Sequence, residues 1–212
     1  MPVLMCFGDS NTHGTPPIVD LGTYARFDAA TRWPTRARAV LGAEWALVEE
    51  GLPGRTAQFD DIIMGTHMNG QGGLKIALQS HGPIDVLVLM LGTNDVKAQF
   101  GVTAEGVAGG IAGLIDYAMG PEMQLRHGGF KLLLICPPPV QEIGPIALQF
   151  YGGAAKSQAL PPIYAALARR WGIGYLDAGQ VIATSVLDGV HYDADAHARL
   201  AVAVAAAVRS LV

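Results

Sequence analysis

A three-layer α/β/α fold around a five-stranded parallel sheet is the architecture that this sequence predicts, and three observations carry it. Five short apolar runs, each β-branched or Leu-rich, stop at Gly, Pro or Asp. Helical patterns separate these runs along the chain, so strand and helix alternate, as right-handed crossovers require. One run, Val86-Leu87-Val88-Leu89-Met90-Leu91, has no polar alternation. Such a strand is covered on both faces, as in the middle of a parallel sheet.

The expected strands are Val3–Phe7, Trp45–Glu49, Val86–Leu91, Leu132–Cys136 and Gly174–Leu176. Arg32–Leu41 and Leu74–Ser80 read as short helices. Thr103–Met119 starts on Thr103 as N-cap, with Glu105 in its first turn. In Ser157–Trp171 the helix is expected to begin at Pro161-Pro162, because proline is favoured in a first turn. The last helix, about Asp193–Leu211, puts Leu200, Val204, Val208 and Leu211 on one face. Three connections exceed the usual length of about 4–6 residues: Thr15–Thr31, Gly54–Gly73 and Pro137–Lys156. All three follow the C-terminal end of a strand, the edge where open α/β sheets bind ligands.

The 212 residues fit a single domain spanning 1–212. Half of them are apolar and 15% charged, enough to bury a core and too apolar for disorder. A net charge of −4 with no basic run argues against nucleic acid as a partner. Cys6 and Cys136 lie in apolar runs and read as buried thiols. The start of the chain does not read as a secretory signal, and the uncharged stretch Leu200–Val208 falls short of the ~20 residues of a membrane span. The expectation is a cytoplasmic protein without a membrane partner.

Four segments carry candidate chemistry. Gly8-Asp9-Ser10-Asn11 follows the first strand, where a serine can present both hydroxyl and N–H at the mouth of the sheet. Gly-rich turns at that place also bind phosphate, so a phosphate- or nucleotide-binding protein is an alternative. Gly92-Thr93-Asn94-Asp95 follows the third strand. The Asn94 amide is either an oxyanion donor or the closure of an Asx-turn. Asp188-Gly189-Val190-His191 precedes the last helix, and a carboxylate three residues before a histidine can fold back on its Nδ1–H and free Nε2 as a base. Gly51-Leu52-Pro53-Gly54-Arg55-Thr56 follows the second strand, with two glycines able to expose backbone N–H groups. Arg55 is open between a surface residue, a loop anchor and a substrate contact. His67, His81, His127 and His197 stand among polar or loop residues and are expected at the surface. Together the four segments supply nucleophile, base, orienting carboxylate and oxyanion donors, a complete acyl-transfer set.

With these segments in this order, the sequence resembles the SGNH hydrolases, also called the GDSL esterase/lipase family. The motif phrases Cys6-Phe7-Gly8-Asp9-Ser10, Glu49-Glu50-Gly51-Leu52 with Arg55-Thr56, and Met90-Leu91-Gly92-Thr93-Asn94-Asp95 are similar to its small bacterial arylesterase/acyltransferase branch. The resemblance implies a flavodoxin-like fold and a serine esterase for short acyl esters, with some acyl transfer to alcohols. Ser10, His191 and Asp188 would form the triad, and Ser10, Gly54 and Asn94 the oxyanion hole, with Gly51 as rival to Gly54. It implies no metal and no organic cofactor, and leaves Asp9 and Asp95 to hold loops. The branch forms large oligomers, and apolar residues at Pro16–Val19, Phe100 and Ile143–Tyr151 support a homo-oligomer here. Asn11 stands where the family usually has Leu, and His13 and Thr15 where the branch often has Trp. Asn11 and His13 are therefore candidate substrate contacts, and a polar wall there would weaken acyl transfer. The runner-up activity is a carbohydrate O-acetylesterase, with His67, Asn69 and Gln71 lining a polar pocket.

Overall fold

A computed structural model describes residues 1–212. Five strands, β1 (Val3–Gly8), β2 (Ala46–Gly51), β3 (Val86–Met90), β4 (Lys131–Cys136) and β5 (Gly174–Asp177), form one all-parallel sheet in the order β2-β1-β3-β4-β5. Seven helices surround it: α1 (Ser10–His13), α2 (Trp33–Leu41), α3 (Gly70–Ser80), α4 (Ala104–Met119), α5 (Pro121–His127), α6 (Gly153–Trp171) and α7 (Ala194–Arg209).

Alternation along each strand splits the core in two. Met5, Phe7, Leu87, Leu89, Leu132 and Leu134 pack on one face against α3, α4, α5 and α6. Leu4, Cys6, Val86, Val88, Leu133 and Ile135 pack on the other against α2 and α7. The central β3 is buried at every position, as its unbroken apolar run predicts. The order reverses direction between β1 and β3, and a parallel sheet opens a crevice at that switch point. Ser10 leaves the end of β1 and Asn94 follows the end of β3, so both stand at the crevice.

Two expectations about helices and two about histidines need correction. α6 begins at Gly153, eight residues before Pro161, so both prolines lie inside it. An interior proline costs a helix about 3 kcal/mol. Burial of Leu160 and Tyr164 offsets that cost, as does Ser157 Oγ, which accepts from the Val140 N–H and donates to the Ala154 carbonyl. The two prolines occupy less buried positions of the helix. α3 begins at Gly70, ahead of the expected Leu74, because the Asn69 side chain caps it by accepting from the Gln71 N–H. His127 and His197 are buried, not at the surface. His127 ends the unforeseen α5 and bridges Ile84 and Leu78, while His197 lies on the face of α7 that carries Leu200 and Val204.

Candidate active site

Gly8 ends β1 and Asp9 starts the single turn of α1. The Asp9 carboxylate accepts from the Asn11 N–H at 2.9 Å and fixes that turn. Burial pushes Asp9 up to about 6, against that hydrogen bond and the charge of His191. Ser10, the first residue of α1, has no intrahelical acceptor for its N–H. Its Oγ lies 3.1 Å from His191 Nε2.

The Asp188–His191 turn folds back as its spacing predicts. Asp188 Oδ2 is 2.6 Å from His191 Nδ1, and Oδ1 accepts from the Val190 and His191 N–H groups, each at 2.9 Å. The Ile18 N–H, from the long connection after α1, donates to Oδ2 at 2.7 Å. Burial alone would raise the Asp188 carboxyl, but the His191 hydrogen bond and charge, with the Ile18 and Val190 N–H groups, hold it below its ordinary value. Asp188 thus stays an acceptor, and its pairing assigns the His191 proton to Nδ1.

The turn after β2 hangs on Arg55. Its guanidinium stacks 4.1 Å over the Phe7 ring and donates to the carbonyls of Gly8 and Glu50. Burial lowers Arg55 to about 10, which still leaves it cationic at neutral pH. Of the readings open for Arg55, the structure selects the loop anchor. Its own carbonyl accepts from Asn94 Nδ2 at 3.1 Å, which orients the Asn94 amide and leaves its second N–H. Gly54, one residue earlier, has φ of +91°, and a Cβ there would meet Met64 Sδ at 2.6 Å. The positive φ is what favours glycine there, since the flexible Met64 side chain can move aside. The Gly54 N–H has no acceptor within the protein. Gly51, the rival, closes β2 beneath α1, where a Cβ would strike His13 N at 2.3 Å, and it does not reach the cavity.

Asp95 is buried behind Asn94, and both its oxygens accept from the Ala57 N–H. Burial pushes it up to about 7, against that hydrogen bond. Asp9 and Asp95 therefore hold loops, as expected.

A cavity of about 240 Å³ opens over Ser10, Asn94 and His191. Its walls include Ile18 and Leu21 from the first long connection, Pro53 just before the second with Gly54 and Met64 inside it, Ile146, Gln149 and Phe150 from the third, and Lys97. Asn11 and His13, expected to touch substrate, do not line it. Asn11 is fully buried, donates to the Val190 carbonyl and accepts at its own carbonyl from Trp33 Nε1, so it ties α1 to the His191 turn. His13 turns outward to the Tyr24 hydroxyl at 3.0 Å. His67, Asn69 and Gln71 are also absent from the wall. Asn69 and Gln71 spend their side chains on backbone carbonyls and a helix cap, and His67 is exposed. No three His, Cys, Asp or Glu side chains stand together as a metal site. No helix is long and apolar enough to cross a membrane.

The model of the GDSL-like lipase/acylhydrolase family matches residues 6–199. The chain belongs to that family, and with it to the carboxylic ester hydrolases. An aryl esterase from M. smegmatis shares 35% identity with a TM-score of 0.92 over 100% of both chains. A carbohydrate acetylesterase from Sinorhizobium meliloti shares 33% identity with a TM-score of 0.92 over 99% of both chains. A lipolytic G-D-S-L protein from Veillonella parvula, at 15% identity and a TM-score of 0.66 over 95% of both chains, shares the fold. No protein with a curated function matches the chain.

Proposed function

We propose that this esterase hydrolyses short acyl esters through a Ser10–His191–Asp188 triad. The observation that carries the reading is the chain of contacts Asp188 Oδ2–His191 Nδ1 at 2.6 Å and His191 Nε2–Ser10 Oγ at 3.1 Å, standing at the switch point of the sheet. His191 Nε2 takes the Ser10 proton as Oγ attacks the ester carbonyl. Asp188 keeps the imidazole oriented and stabilises the imidazolium. The developing oxyanion is bound by the N–H groups of Ser10 and Gly54 and by the free amide N–H of Asn94. His191 then protonates the leaving alcohol, and water resolves the acyl-enzyme by the same steps in reverse.

The cavity volume supports a short acyl group, since about 240 Å³ falls below the ~300–1,000 Å³ of drug-sized pockets. Ile18, Leu21, Ile146 and Phe150 give the wall an apolar share, which favours some transfer to alcohols as a side reaction. A carbohydrate acetyl ester is the second reading, favoured by the Sinorhizobium relative and by Thr15, Thr23 and Gln149 on the wall. Self-association is part of the same proposal. The neighbours of the cavity wall in sequence, Ile62, Ile63, Leu148 and Tyr151, are exposed apolar side chains that packing against a second copy would cover. Light scattering after size exclusion should show a multiple of 22.2 kDa, and a single 22.2 kDa species would refute that part. The esterase reading is tested with 4-nitrophenyl acetate: wild type should hydrolyse it, and Ser10→Ala should lose that activity. Equal rates would reject it.

A further inference from the structure

The cavity over Ser10 holds one charge that ester hydrolysis leaves without a task. Lys97 follows Asn94 by one turn, its N–H donating to the Asn94 carbonyl at 3.2 Å. The residue is only 7% exposed, yet it lines the cavity. Its ammonium takes part in no ion pair and no hydrogen bond. Nζ stands 5.7 Å from the ring centroid of Phe150, another wall residue. No Asp or Glu lines the cavity, so Lys97 is the fixed charge of that wall.

Three carboxylates stand near enough to favour its protonation, against burial, which lowers it: Asp61, Asp9 and Asp95. Each is already engaged. Asp61 accepts from the Ile63 and Met64 N–H groups and from Gln99, Asp9 from Asn11, and Asp95 from Ala57. No carboxylate oxygen lies within 4.0 Å of Nζ, so an anion entering the cavity would meet an ammonium whose three N–H donors are unspent within the protein. Neutral ester chemistry at Ser10 has no need of it.

We infer that Lys97 is a specificity-determining residue that draws esters bearing a carboxylate into the Ser10 cavity. The inference rests on the esterase reading and names a substrate class for it. The carboxylate can sit on the acyl side or on the alcohol side of the ester, and the test separates the two. On the acyl side, monoethyl succinate is compared with ethyl butyrate. On the alcohol side, 4-acetoxybenzoate is compared with its methyl ester. Intrinsic reactivity cancels when the charged-to-neutral ratio of kcat/KM is compared between wild type and variant.

A charged hydrogen bond of about 1.5–3 kcal/mol corresponds to roughly tenfold or more in that ratio. Lys97→Gln should therefore lower the ratio at least about tenfold in one of the two series, and Lys97→Arg should retain more of it. An unchanged ratio in both series overturns the inference. An equal fall for both esters of each pair also overturns it, since that is the result of a lysine serving only as counter-ion to Asp9 and Asp95. A second readout needs neither variant nor turnover. Wild-type protein should bind succinate or 4-hydroxybenzoate more tightly than the corresponding amides, by ligand-observed NMR, and equal binding rejects the proposal. Carboxylate binding that depends on Lys97, without hydrolysis of any ester, would break the esterase reading and keep the recognition. Hydrolysis of the neutral esters alone, without carboxylate preference, would do the reverse.

Discussion

Two buried histidines six residues apart differ in which ring nitrogen is left free. His191, in the turn before α7, and His197, in its first turns, are 5% and 0% exposed. Each is hydrogen-bonded at Nδ1. His191 faces the Asp188 carboxylate, so Nδ1 donates and Nε2 is left with its lone pair toward Ser10 Oγ. His197 accepts the Trp33 N–H at Nδ1, so its proton sits on Nε2, which has no partner and lies among the rings of Phe27 and Tyr192. Burial, with the charges of His191, Arg32 and Arg36, lowers His197 to about 4. Burial without a carboxylate partner therefore leaves His197 a structural imidazole, whereas the Asp188 carboxylate leaves His191 with Nε2 free toward Ser10, the arrangement that the proposed mechanism needs.

The largest effect expected from breaking this difference is at Asp188. Asp188→Asn cannot hold the Nδ1 proton in the same way and should lower kcat on the order of 10⁴-fold, with the fold kept. His191→Ala should be about as damaging, because triad members act as a unit. Retention of most activity on 4-nitrophenyl acetate by both variants would require another base. Asn94→Ala removes one oxyanion donor while leaving both histidines intact. It should reduce kcat about 10²–10³-fold with a smaller change in KM, and a pure KM effect would exclude the oxyanion role.

His197 supplies the complementary prediction, on stability. Its pKa in the fold, about 4, is below the ordinary 6.5, so the unfolded chain binds more protons between these values. Its contribution is complete above pH 6.5 and is lost as pH falls toward 4. Asp9 and Asp95, raised to about 6 and about 7, act with the opposite sign over much of that range, so wild type alone would mask the effect. His197→Gln keeps an acceptor for Trp33 without the titration. The stability difference between wild type and this variant should grow by up to about 3 kcal/mol between pH 4 and 6.5. Urea titrations that give a constant difference would contradict the burial argument. The smallest effect is in acyl length. Each methylene is worth about 1–3 kcal/mol in a pocket, so kcat/KM should decline from acetate to octanoate esters, and a steady rise would refute the small cavity.

Much of this was legible in the sequence because strands end at the motifs. Ser10, Asn94 and the Asp188–His191 pair each sit within a few residues of an element boundary, so the order of strands brings them to one crevice. The burial of His197 was legible too, since it lies three residues before Leu200 and seven before Val204, but its polar neighbours Asp195 and Arg199 masked the helical period. The Ile18 N–H on Asp188 was not legible, because a backbone donor from a long connection leaves no mark on side-chain pattern. The cavity wall was only partly so: Ile18, Ile146 and Phe150 stood out as apolar, but which loop residues turn inward depends on packing among three connections. Asn11 and His13 were misplaced for the same reason. A four-residue helix turns one of them inward to Val190 and the other outward to Tyr24.

The central claim, that the His191 turn activates Ser10, is tested most directly by a fluorophosphonate probe followed by peptide mapping. Wild-type protein should gain one adduct, on Ser10, and Asp188→Asn should acquire it far more slowly. An adduct on Ser80, Ser157, Ser185 or Ser210 instead, or equal labelling rates in the two proteins, would contradict the account.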